Sequence, residues 1–281
     1  MNGQEIEEAF QLASTLTKQC GSIVLKGFRN VSKTVQCKGN HWDVLTEYDR
    51  RVEDVLVKGL LERFPDHRIL GEESVSEVNL REPLDGRPTW IIDPIDGTNN
   101  FVKVIKFIAI SVALVVDGDL KIGIVFNPCS DEFFSAVRGK GAYLNEGKIQ
   151  TSGIGELKKA LVAHESSIAC YASARPYIFG RGLEFIKECI GLRAMGSAAL
   201  TLAYIANGNI DCYAIDYLKP WDIAAGALLV QEAGGVVINI KGGKYDILKP
   251  DVIAASCEKL AQRILEIVQK VEVDVTKGQL S

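Results

Sequence analysis

A chain of 281 residues, 47% hydrophobic and 24% charged with only 8 prolines, has the length for one large α/β unit or two modest lobes. Its composition excludes collagen-like, low-complexity and disordered classes. Thirty-two basic against 36 acidic side chains leave a net charge of −4, so no global attraction draws the chain to nucleic acid or an anionic membrane, and any phosphate must be held locally.

In chain order, Ile6, Phe10, Ala13, Leu16, Cys20 and Val24 recur every three or four residues and predict an amphipathic helix over about 4–28. Residues 1–10 alternate acidic and apolar side chains and lack the basic start and apolar block of a signal peptide, and the longest apolar run, about 108–116, is shorter than the roughly 20 residues of a spanning helix. A cytoplasmic location without membrane contact is therefore expected. Leu45, Tyr48, Val52, Val55, Leu56 and Leu60 predict a second helix, opened by Thr46 with Asp49 three residues on as a capping box and closed near Phe64-Pro65.

From His67 to about Leu144 the pattern turns to short β-rich runs, about 68–70, 89–93, 107–116, 120–127 and 132–137, separated by Asp85-Gly86, Asp117-Gly118 and Arg138-Gly139. Asp117-Gly118 between two apolar runs is a hairpin signal, so a mostly antiparallel sheet is expected. After about Gln150 strands and helices alternate: strand 160–164, helix 182–189, strand 192–194, helix 197–206, strand 210–215, helix 221–233 and strand 236–240. The expectation is a helix-and-antiparallel-sheet unit over 1–150 and an α/β lobe over 151–281, with a soft boundary and a shared cleft between them.

Seven cysteines without a CxxC pair predict buried thiols, neither a disulfide framework nor a thiolate zinc site. His41, His67 and His164 have no ligand-like spacing, which leaves metal chemistry to carboxylates. The most informative segment is WIIDPIDGTNNF at 90–101. A buried strand runs into Asp93 and Asp96, Pro94 fixes one φ, and Gly97 permits a turn that other residues resist, so the two acids can face one point. Paired carboxylates suit a hard dication such as Mg²⁺, and the N–H groups of Gly97 and Thr98 can receive a phosphate. Glu72 and Glu73 end another strand, where a solvated edge is the simpler explanation. Asp222 follows Trp221 where a helix N-cap belongs, and capping alone would explain it.

Taken together, GEES at 71–74, DPIDGTNNF at 93–101 and WDIAAGALLVQEAGG at 221–235 resemble the inositol monophosphatase family of magnesium-dependent phosphatases, in the right order and over most of the chain. The resemblance implies an α/β (α+β) fold layered αβαβα, commonly a homodimer. It implies Glu72, Asp93 and the Ile95 carbonyl as ligands of one Mg²⁺, and Asp93, Asp96 and Asp222 as ligands of a second. With a weak third ion near Glu72, two to three Mg²⁺ per subunit are expected. Hydrolysis of a phosphate monoester, inositol phosphate above all, would proceed by direct attack of a metal-activated water. Thr98 with Asp49, and Glu72 beside them, would orient or deprotonate that water. Lithium inhibition is a family expectation. On the substrate side, Gly97, Thr98, Gly196, Ser197 and Ala198 match family positions, and helix-start packing would also explain the last three.

One departure bears on specificity. Seven residues before Asp222 the family usually has Glu, and this chain has Ile215 with Asp216 beside it. Neighbouring strand residues face opposite ways, so Asp216 is a substitute contact only if the backbone shifts. Other readings are a fructose-1,6-bisphosphatase or another sugar or nucleotide phosphatase of this fold, an enzyme with Asp93 as covalent nucleophile, and a metal-binding paralogue with altered or lost substrate. The covalent mechanism usually goes with a D-x-D spacing, whereas here it is D-x-x-D.

Overall fold

The structure is a computed structural model that describes every residue except 31, 39–43, 75–83 and 281. Helix α1 spans Gly3–Arg29, opened by an Asn2–Glu5 capping box, and α2 spans Glu47–Arg63, opened by the Thr46–Asp49 box. Both match the helical periodicity. Between them β1 (Val35–Cys37) and β2 (Val44–Thr46) pair antiparallel, a hairpin that the sequence pattern did not signal.

The first sheet has seven strands in chain order: β3 (Arg68–Gly71), β4 (Thr89–Asp96), β5 (Ala109–Val116), β6 (Asp119–Asn127), β7 (Glu132–Val137), β8 (Gly141–Leu144) and β9 (Gly147–Ile149). Only β3 and β4 pair in parallel, because a long connection joins them; every later pair is antiparallel. Asp117 and Gly118 join β5 to β6 with φ of 53° and 77°, the left-handed pair that a two-residue hairpin turn needs. After β4 comes a short helix, α3 (Thr98–Val102).

The second sheet has the order β11-β10-β12-β14-β13, built from β10 (Leu161–Ala163), β11 (Gly191–Arg193), β12 (Cys212–Ile215), β13 (Val236–Asn239) and β14 (Val252–Ala255). β10 lies parallel to both β11 and β12, whereas β14 runs antiparallel to β12 and β13. Its helices are α4 (Arg175–Ile186), α5 (Ala198–Ala206), α6 (Pro220–Glu232) and α7 (Glu258–Thr276). The observed α4 starts earlier than expected because Pro176 sits in its first turn, where a missing N–H is harmless.

Side-chain alternation assigns the layers. On β4, Trp90 and Ile92 join Val52, Leu56 and Leu60 of α2 in one core, while Ile91 on the opposite face packs with Ala225 and Leu228 of α6. The inner strands are buried on both faces, which explains their unbroken apolar runs. A third core joins Val162 and Ile253 of the second sheet to Phe185 of α4 and Ile264 and Val268 of α7. The order α1/α2, sheet, α5/α6, sheet, α4/α7 is thus the expected αβαβα sandwich. Each fully buried Leu, Ile or Phe in it contributes about 1.5–3 kcal/mol.

The expectation for the cysteines is corrected. Cys20 and Cys212 are buried, Cys37 is exposed, and the other four are half-buried, all as free thiols. His67 accepts a hydrogen bond from Trp90 Nε1 at 3.1 Å, His164 packs edge-on against Phe185, and His41 lies outside the described residues.

Candidate active site

β4 carries the first two acids. Asp93 lies opposite Ser111 and Asp96 opposite Ala109, so β4 spends three residues where β5 spends two. On a regular strand, side chains three apart point to opposite faces; the extra residue of this bulge brings both to one side. The strand then turns at Gly97, whose φ of 89° lies in the left-handed region and where a Cβ would sit 2.9 Å from the Gly196 carbonyl. Close approach and backbone conformation both demand glycine there.

Asp222 comes from the first turn of α6. It is not the N-cap expected from the sequence: the helix begins at Pro220, and the Asp222 carboxylate accepts from the Lys219 N–H at 2.6 Å. Ser111 Oγ donates to the Trp221 carbonyl at 3.0 Å and ties this helix start to β5. Carboxylate oxygens of Asp93, Asp96 and Asp222 consequently lie within 4.8 Å of one another. Two unit charges 4 Å apart repel by about 4 kcal/mol at an effective dielectric of 20, so three bare carboxylates strain the metal-free protein.

The protonation equilibria register that strain. Burial pushes Asp93 and Asp222 well above the usual carboxylate range, and the charges of Glu72 and Asp96 push the same way. Burial also lifts Asp96, but only to about 6, because Ser197 Oγ (2.5 Å) and the Ala199 N–H (2.7 Å) donate to its carboxylate. Asp49, buried in α2, is pushed up to about 6 by desolvation against the pull of Thr46, whose N–H and hydroxyl donate at 2.9 and 2.5 Å.

Thr98 Oγ1 donates to the Ile95 carbonyl at 3.0 Å and reaches Asp49 Oδ1 at 3.4 Å, so the expected Thr98–Asp49 pair is assembled. Glu72 stands at the end of β3, its N–H bonded to the Ile92 carbonyl at 3.1 Å and its carboxylate 2.8 Å from Lys38 Nζ. Glu72, Gly97, Thr98, Gly196 and Asp222 line one cleft of about 280 Å³, together with Tyr171, Tyr217 and Leu218. A larger hollow of about 470 Å³ near Arg138 and Tyr245 contains none of these acids.

Three substrate-side expectations are placed differently. Ser197 and Ala198 are buried behind Asp96, so the Ser197 hydroxyl orients that acid and does not face the cleft. Asp216 is turned away altogether: its Oδ2 accepts from Arg181 Nη2 at 3.0 Å and lines a separate hollow with Tyr177 and Lys241. Ile215, at the usual Glu position, is 1% exposed within the core between the sheets.

The model of the inositol monophosphatase family matches residues 5–272. The chain belongs to the inositol monophosphatase family. Human inositol monophosphatase 1 is 34% identical over 264 residues, covering 94% of this chain and 95% of that one. Tomato (Solanum lycopersicum) inositol monophosphatase 2 is 38% identical over 252 residues, covering 89% and 94%. Among solved structures, the Thermotoga maritima IMPase superposes with a TM-score of 0.83 at 30% identity, covering 94% of this chain and 98% of that one. The family places this chain among the phosphoric monoester hydrolases, and Mg²⁺ dependence is typical of it. The all-oxygen donor set of Asp93, Asp96 and Asp222 fits such a hard cation.

Several supporting residues escaped the sequence pattern. Glu53 lies one turn after Asp49 on the buried side of α2, and its carboxylate accepts from the Glu73 N–H at 2.9 Å, holding the Glu72–Glu73 turn. One acid at core spacing, Glu53 four residues after Asp49, was the available signal. Lys38 bridges Glu72 and Glu73 from the hairpin side, and these carboxylates outweigh burial in pushing its ammonium pKa up. Asn100 Nδ2 donates to the Phe107 and Met195 carbonyls, both at 2.8 Å, while Glu165 Oε1 accepts from the Met195 and Gly196 N–H groups. These bonds fix the Gly196 wall against the Gly97 wall.

Proposed function

We propose that the chain is a Mg²⁺-dependent phosphate-monoester hydrolase that converts inositol phosphate and related sugar phosphates, with water, to the free alcohol and phosphate. The observation that carries this is the convergence of Asp93, Asp96 and Asp222, from distant parts of the chain, next to a cleft lined by Glu72, Asp222 and Thr98, whose hydroxyl reaches Asp49. Asp93, Asp96 and Asp222 hold the metal, with Glu72 and the second lone pair of the Ile95 carbonyl as further ligands for two to three ions per subunit. Bound there, Mg²⁺ supplies a Lewis acid that polarises phosphoryl oxygens and acidifies water.

The chain's own groups do the rest. Thr98 Oγ1 orients the attacking water, and Asp49, with a pKa near 6, is ionised at neutral pH and able to take its proton. The N–H groups of Gly97 and Thr98 hold the phosphoryl oxygens. A P–O bond to water forms as the bond to the alcohol breaks, and the departing oxygen takes a proton from solvent.

A homodimer is part of this proposal. Phe179, Leu183, Ile186 and Ile190 form an exposed apolar stripe along and just beyond α4, which a second copy would cover. The cytoplasmic assignment rests on the unremarkable charge balance and on the finding that no described helix is long and apolar enough to cross a membrane. The test is phosphate release from inositol 1-phosphate, sugar phosphates and nucleotides, with and without Mg²⁺. Turnover that requires Mg²⁺ and is inhibited by millimolar Li⁺ supports the proposal, and metal-independent turnover contradicts it.

A further inference from the structure

Glu165 stands two residues beyond β10 and is buried, outside the acid trio and behind the wall of the cleft. One oxygen of its carboxylate, Oε1, accepts from two successive backbone N–H groups, Met195 at 2.6 Å and Gly196 at 2.8 Å. From the other side, Asn100 Nδ2 donates to the Met195 carbonyl at 2.8 Å. The turn at 195–196 is therefore gripped at its donors and at its acceptor, by side chains 30 and 95 residues away along the chain. Bonds from main-chain N–H groups to a carboxylate are stronger than neutral ones, so Glu165 is the firmer of the two grips.

The turn is one that needs holding. Gly196 has a φ of 78°, in the left-handed region, and a Cβ there would lie 2.9 Å from Asn100 Nδ2. Gly196 lines the cleft beside Gly97 and Thr98, whose N–H groups receive the phosphate in the reading above, and its carbonyl lies 2.9 Å from where a Gly97 Cβ would sit. An ester seated in that cradle extends its alcohol along the adjoining wall. The carboxylate that the family usually offers to the alcohol is absent there, since Ile215 lies in the core and Asp216 is paired with Arg181. Backbone groups of the Gly196 turn are left as polar contacts next to the cradle, and their position depends on Glu165.

We propose that Glu165 is a positioning residue for the alcohol half of the substrate. It does not touch the ester; it sets KM by holding the Gly196 backbone where the alcohol meets it. This rests on the phosphatase reading above. The phosphate half has supports of its own, the β4 bulge before Gly97 and the Thr98 bond to the Ile95 carbonyl, and is independent of Glu165.

The experiment measures kcat and KM for wild type, Glu165→Ala and Glu165→Gln in saturating Mg²⁺. The esters are inositol 1-phosphate and methyl phosphate, whose alcohol is too small to reach along the wall, and inorganic phosphate serves as a competitive inhibitor. Glu165→Ala raises KM for inositol 1-phosphate about tenfold, while its kcat, the KM for methyl phosphate and the Ki for phosphate all stay within about twofold of wild type. Glu165→Gln keeps an oxygen that accepts from both N–H groups but lacks the charge, and it returns KM to within about threefold of wild type. Should the Ala variant fail to fold, a KM rise in the Gln variant confined to inositol 1-phosphate supports the proposal. An unchanged KM for inositol 1-phosphate in every folded variant, or a rise matched by methyl phosphate and by the phosphate Ki, overturns it and leaves the phosphatase reading standing. Wild type that turns over neither ester removes both.

Discussion

The acid wall beside the cleft and its tyrosine rim are built by different means. Asp93 and Asp96 are turned to one side by a bulge and a glycine with positive φ close beside them, and Asp222 joins them from the first turn of a helix that Ser111 ties to β5. Tyr217 owes its setting to contacts made from far along the chain, Arg181 on the adjacent Asp216 and Asp251 on the Tyr217 N–H. The Asp93–Asp96 pair is aimed by local backbone geometry, whereas Asp222 and the tyrosine rim are set by tertiary contacts.

Breaking the acid wall gives the largest effect. Asp93→Asn is expected to lower phosphate release by more than about tenfold, a barrier increase above about 1.4 kcal/mol. Because it removes a repelling charge, its metal-free melting temperature stays at or above that of wild type. Steady-state rates and a thermal melt in chelator test both halves. In the neighbouring hollow, Arg181→Met strands the Asp216 carboxylate and is expected to cost about 3–5 kcal/mol of stability in denaturant titration. The double variant Arg181→Met/Asp216→Leu recovers most of that loss, and failure to recover it would show that the pair has no shared role.

Smaller changes sharpen the contrast. Ser197→Ala removes the hydroxyl behind Asp96 and is expected to weaken Mg²⁺ binding about tenfold by calorimetric titration, with the fold retained. The pH dependence is smaller still. Asp49 and Asp96 have folded pKa values near 6, and Asp93 and Asp222 lie higher than their ordinary range. The folded state therefore binds more protons than the unfolded state above about pH 4. Metal-free stability is expected to fall as pH rises from about 5 to 7, and saturating Mg²⁺ should flatten that slope. Thermal melts at stepped pH, with and without Mg²⁺, measure it.

Much of the frame was legible in the sequence because periodicity is local. The apolar spacing gave α1 and α2, Asp117-Gly118 gave the β5–β6 hairpin, and the Asp-Pro-Ile-Asp-Gly-Thr run located the acid pair. Helix α7 was equally readable from Leu260, Ile264, Ile267 and Val271, a pattern lying beyond the last element predicted. Pro220 in the first turn could have shown that Asp222 lies inside α6 and is not its cap. The convergence of Asp222 with β4 had no local signal and came only with the family resemblance. The turn of Asp216 toward Arg181 and the retreat of Ser197 behind Asp96 depend on partners 35 and 101 residues away, which no spacing rule reaches.

A crystal grown or soaked with Mn²⁺ in place of Mg²⁺ tests the central claim most directly, through the anomalous difference map. The expected result is a peak coordinated by carboxylate oxygens of Asp93, Asp96 and Asp222. A map with no ion among these three acids, in protein whose phosphate release responds to the same Mn²⁺, would contradict it.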